Sequence, residues 1–89
     1  MTRREERMKQ LETIMKQKLE ITGLDVLQES MRLLDDLSID SIMILQLIVC
    51  IEEDMNLVVP AEKLNPSVFK TVGSLVDFIE ELEQKGGEV

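Results

Sequence analysis

The chain has 89 residues, room for one small domain that buries only about 60–65 % of the surface its unfolded form exposes, and so for one core and no deep active site. Ten Lys and Arg against 18 Asp and Glu give a net charge of −8, which repels nucleic acid and anionic lipid and favours partners with basic surfaces. The one cysteine, Cys50, has no internal disulfide partner, the charged start lacks an apolar leader, and the apolar stretch from Ile42 to Ile51 is too short for a membrane span. These features point to a soluble, cytoplasmic protein, and the residue spacing along the chain to an all-α one.

From Arg3 to about Ile21, Met8, Leu11, Ile14, Met15 and Leu19 fall at helical spacing, with the stem of Lys18 on the same face, and Gly23 is placed to stop the helix. A connection from Leu24 to Asp40 comes next, with Leu27, Met31, Leu33, Leu34, Leu37 and Ile39 in no clean period. Its length and apolar content predict a strap packed over the bundle. Asp40 suits the N-cap of the next helix, which starts at Ser41 and runs to about Met55, where Asn56 and then Pro60 end it. A short helical piece is expected after it, either Ala61 to Leu64 or Pro66 to Phe69. The last helix has Thr71 as N-cap, places Val72, Leu75, Val76, Ile79 and Leu82 on one face, and dissolves at Gly86-Gly87. The expectation is a four-helix bundle with three long helices and one short, forming a single domain with its core at about residues 8–82.

The helix from Ser41 has more apolar residues than one buried face requires. At 100° per residue, Ile44, Leu47, Ile48, Ile51 and Met55 share the core arc, while Ile42, Leu45 and Val49 share a second arc beside Gln46 and Glu53. An apolar stripe on an acidic surface reads as a docking site, or as a wider core or self-association face. Ser41 itself reads either as a helix-start serine that satisfies a free backbone N–H or as a place where a phosphate is welcome, since the helix start offers unpaired N–H groups and the positive end of its dipole. Asp40 already suits the capping role.

Other chemistry falls away. With no histidine there is neither a Ser-His-acid triad nor an imidazole metal site. Asp36, Ser38 and Asp40 imitate the start of a calcium loop, but Ser41 stands in place of its Gly and Leu47 in place of its closing Glu. Cys50 lies mid-helix without basic neighbours in sequence and reads as a packed or half-exposed thiol. The acids Glu52-Glu53-Asp54, at a helix end whose dipole disfavours them, are either a contact for basic partners or a solvated surface.

The run Asp36-Leu37-Ser38-Ile39-Asp40-Ser41-Ile42 resembles the Asp-Leu-Gly-hydrophobic-Asp-Ser-Leu signature of the carrier proteins, whose serine receives 4′-phosphopantetheine from coenzyme A. Glu52 to Pro60 and Thr71-Val72 also resemble that family, so the likeness covers roughly Met8 to Leu82 in order. The resemblance implies that Ser41 bears the arm, that Asp40 helps position it for the phosphopantetheinyl transferase and its magnesium ion, and that Ile42, Leu45 and Val49 contact partner enzymes. Two departures stand out. Ser38 replaces the usual Gly, so a turn with positive φ would be strained there. Met43 and Gln46 occupy positions where fatty-acid carriers place acids, so the apolar stripe takes more of the contact.

That pattern looks more like the aryl and peptidyl carriers. The run Asp40 to Val49, with Thr71-Val72-Gly73-Ser74-Leu75, resembles the stand-alone aryl carriers of petrobactin-type siderophore synthesis, whose arm carries a 3,4-dihydroxybenzoyl thioester. The implied role is that of a monomeric tether. An adenylate-forming ligase loads the arm, a downstream condensing or siderophore synthetase enzyme unloads it, and the carrier does no bond chemistry itself. A fatty-acyl or D-alanyl carrier and an unmodified helical adaptor are the alternatives.

Overall fold

The computed structural model describes residues 3–21, 23, 24 and 26–86; Gly87, where the last helix was expected to dissolve, lies outside them. The architecture is all-helical: α1 spans Arg3–Thr13, α2 Ser41–Asp54 and α3 Val72–Gly86. Where a short helix was expected, a single 3₁₀ turn, Ala61–Lys63, follows α2, and residues 66–69 form a turn. Such short runs suit a segment with Pro60 before it and Pro66 after it.

The first helix departs from a plain α-helix to Ile21. After Thr13 it widens into a π-helical turn, Ile14–Lys18, closed by the Leu19 N–H on the Ile14 carbonyl (3.1 Å). One extra residue in that turn rotates the remainder of the helix, so Lys18 leaves the core face and its stem is exposed, while Leu19 stays buried. The chain then reverses at Glu20, whose φ is +53°, and the Ile21 N–H returns to the Met15 carbonyl (3.0 Å). Helix termination thus falls on Glu20 and not on Gly23.

Leu11, Ile14, Met15, Leu47, Ile51, Leu75, Val76 and Ile79 meet in the core, with Leu27, Leu33, Leu37 and Ile39 entering it from the irregular segment between α1 and α2. Of the apolar residues expected to pack there, Leu34 is the exception, at 65 % exposed. Two further devices fix the layers. The free N–H groups at the start of α3 are met by that segment's carbonyls: Val72 N–H donates to Met31 and Gly73 N–H to Glu29, both at 2.9 Å. In the other direction, Leu33 N–H donates to the Lys70 carbonyl at 3.2 Å. A Cβ on Gly73 would lie 3.2 Å from the Glu29 carbonyl oxygen, so glycine allows the approach. Thr71 caps α3 as expected, its hydroxyl accepting from Ser74 N–H (3.1 Å) while the Ser74 hydroxyl accepts from Thr71 N–H (3.1 Å).

The second device is ionic. Arg4 on α1 donates to Glu29, to Asp77 (2.8 Å) and to Glu80, and Arg7 donates to Glu83 through Nε (2.6 Å). These contacts hold the Glu29 and Glu83 carboxyls below the usual carboxylate range, the arginine hydrogen bond being the largest cause in each. Among the described residues no helix is long and apolar enough to cross a membrane.

Candidate functional site

Two turns place the start of α2. Leu33 and Leu37 are buried on either side of a tight reversal in which Asp36 and Leu37 N–H groups return to the Arg32 carbonyl (2.9 and 3.2 Å). Ser38 then takes φ +56°, the left-handed conformation expected where the carrier signature has glycine, and Ile39 N–H reaches back to the Leu33 carbonyl (2.8 Å). Buried Ile39 anchors the chain, and Asp40 comes after it in extended conformation with its Oδ1 accepting from Met43 N–H at 2.9 Å. Asp40 is therefore the N-cap, and the capping role is not left to Ser41.

Ser41 is the first residue of α2 and is exposed; its hydroxyl makes no hydrogen bond among the described residues. It also lines a groove of about 460 Å³ together with Leu34 and Leu45. Down the helix from it, Ile42, Leu45 and Val49 are 69, 64 and 50 % exposed, with Gln46 and Glu53 also exposed beside them. Met43 is half-buried against the core and so stands apart from that stripe. On the core arc, Leu47 and Ile51 are buried and Ile44, Ile48 and Met55 half-buried. The division of α2 into a core face and an open apolar face is thus present in the fold.

The remaining candidates sort by their contacts. Glu52 is half-buried and accepts from Val59 N–H (3.1 Å), pinning the chain beyond α2, while Glu53 and Asp54 are exposed. Asn56 has φ +55° and ends the helix as expected. Cys50 is half-exposed; burial, then the charge of Asp54, pushes its thiol up, away from the thiolate a nucleophile requires. Leu34 is the residue that helical periodicity missed, because it sits in an irregular turn where no period applies.

An unengaged serine thus stands at a capped helix start beside an open apolar helix face. The phosphopantetheine attachment site family matches residues 9–79. The acyl carrier protein AsbD of Bacillus anthracis is 54 % identical over 70 residues, spanning 79 % of this chain and 77 % of that protein. The acyl carrier protein of Clostridium perfringens (strain SM101) is 36 % identical over 75 residues, 84 % of this chain and 95 % of that one. This chain belongs to the phosphopantetheine attachment family. It is an acyl carrier protein, with covalent 4′-phosphopantetheine as its cofactor, and it is the substrate of a phosphopantetheinyl transferase rather than an enzyme. The reading as an unmodified adaptor gives way to that result.

Proposed function

We propose that Ser41 is the attachment residue, that Asp40 positions it, and that the exposed surface of α2 formed by Ile42, Leu45 and Val49, flanked by Gln46, receives partner enzymes, with half-buried Met43 at its margin. One observation carries the reading: Asp40 takes the cap, so the Ser41 hydroxyl is exposed and uncommitted where a helix start favours a phosphate. In the modification the Ser41 oxygen attacks the pantetheine-side phosphorus of coenzyme A and a P–O bond forms. The pyrophosphate bond breaks, adenosine 3′,5′-bisphosphate leaves, and the serine proton passes to a base of the transferase. When bound, the arm supplies a thiol that holds the cargo as a thioester.

The cargo in this reading is a 3,4-dihydroxybenzoyl group for siderophore synthesis of the petrobactin type, loaded by an adenylate-forming ligase and consumed by a siderophore synthetase. Its support is the resemblance over Asp40 to Val49 together with uncharged Met43 and Gln46. The same reading makes the chain one cytoplasmic, monomeric carrier domain with its core at residues 8–82. It assigns the finer architecture of a four-helix carrier bundle: the turn Ala61–Lys63 stands for the short helix, and the segment with inward Leu27, Leu33 and Leu37 for the strap.

Intact mass after incubation with coenzyme A and a promiscuous phosphopantetheinyl transferase tests the attachment residue. One arm on the wild type and none on Ser41→Ala is the expected result, and a gain that survives the substitution refutes it. Loading of the product with dihydroxybenzoate, fatty acids or D-alanine then separates the carrier types.

A further inference from the structure

We infer that Leu34 is part of the surface on which the phosphopantetheinyl transferase docks, and that the groove between Leu34 and Leu45 receives an apolar side chain of that enzyme. The inference rests on Ser41 as the attachment residue and extends it. A single exposed leucine is ordinary, but this one is not isolated. Its neighbours Leu33, Leu37 and Ile39 are all buried by the turn that leads to the site, and the same turn leaves Leu34 outside. There it lines the same groove as Ser41 and Leu45, together with Ile48, Leu64 and Phe69. A largely apolar depression of about 460 Å³ that includes two exposed leucines has ample room for an apolar side chain of a partner.

Position identifies the partner. An enzyme that acts on the far thiol of a flexible arm can stand off from the carrier. An enzyme that acts on Ser41 Oγ must bring phosphorus to roughly 3–3.5 Å from it and so must cover the groove. Charge complements the fit. Between Arg32 and Lys63 the chain carries seven carboxylates and no base, whereas the rest of it is nearly balanced, with 10 bases against 11 acids. Asp40 lines the groove and coenzyme A is itself anionic, so the transferase has to bring positive charge to this end of α2. The apolar contact at Leu34 then fixes the register that long-range attraction leaves open.

Two residues of the same character serve as controls: Val26 and Val58 are 64 and 80 % exposed and neither lines the groove. Steady-state transfer from coenzyme A by a promiscuous phosphopantetheinyl transferase, read by intact mass, is compared for the wild type, Leu34→Gln, Val26→Gln, Val58→Gln and Val49→Glu. Glutamine changes no charge, and circular dichroism melts confirm that each variant folds. Leu34→Gln is expected to raise the KM for the carrier about tenfold with kcat within about twofold, while the Val26 and Val58 variants stay within about twofold of wild type in both. Val49→Glu, farther along α2 on the docking face, is expected to raise KM as well. Kinetics of Leu34→Gln that coincide with the Val26 and Val58 variants overturn the role of Leu34. A wild-type chain that gains no arm at all overturns the Ser41 reading, which is a distinguishable result.

Discussion

Replacing Ser38 with glycine should stabilise the protein, although it removes a side chain three residues before Ser41. Ser38 holds φ +56°, is exposed, and its side chain makes no hydrogen bond among the described residues, so nothing native is lost with it. Left-handed backbone costs an L-residue roughly 1–2 kcal/mol, and serine, short and polar, sits at the low end. Glycine gives back roughly 0.4–1 kcal/mol through the greater freedom of the unfolded chain. The balance is about 0.5 kcal/mol in favour of glycine, which in a domain of this size moves Tm by about 2–4 °C. Urea and thermal unfolding of Ser38→Gly, Ser38→Ala and Asn56→Gly measure it. Ser38→Ala should be close to neutral, since it keeps the Cβ that creates the strain. Asn56→Gly should gain less than Ser38→Gly, because asparagine tolerates the φ of +55° found there. A loss of stability in Ser38→Gly, or an equal gain in Ser38→Ala, would refute the strain argument.

Two further outcomes concern charge and capping. The Glu83 carboxyl is lowered below its ordinary value of 4.5 by the Arg7 hydrogen bond, so its contribution to stability is present above about pH 4.5 and is lost as pH falls through the lowered value. Glu83→Gln should lose roughly 1–2 kcal/mol at pH 7 in urea unfolding and show a shallower fall in stability below about pH 4.5 than the wild type. An unchanged acid limb would count against the pair. Asp40→Ala should cost about 0.5–2 kcal/mol by leaving the Met43 N–H without its partner, while Asp40→Asn keeps the cap and most of the stability. If Asp40→Asn takes up the phosphopantetheine arm as fast as wild type, the residue is a cap only, and its charge has no part in the modification.

Features set by local chemistry were readable in the sequence. Asp40 and Thr71 are caps by residue type, and both cap; Val72, Leu75, Val76, Ile79 and Leu82 repeat at helical spacing, and all are buried. The open face of Ile42, Leu45 and Val49 comes from the same period. The π-turn was not readable, because Ile14 to Lys18 has an ordinary helical composition and no residue type marks where the N–H groups shift to carbonyls one position farther back. Leu34 escaped because its direction is set by the tertiary reversal at Arg32 to Ile39, not by spacing. Arg4 gave no signal either: in sequence it is one of several charges in an exposed run, and only the fold brings Glu29, Asp77 and Glu80 around it.

The backbone bonds that join Glu29, Met31 and Leu33 to Lys70, Val72 and Gly73 link stretches roughly 40 residues apart, in a helical protein whose other contacts are mainly local. They make the front end of α3 a late and shared event in folding. The Val72 and Gly73 amides have no partner until the remote stretch has settled, and neither side can open without uncovering the other. In native-state hydrogen exchange the amides of Leu33, Val72 and Gly73 would then open together as one unit, stitching separate helices into a single cooperative body.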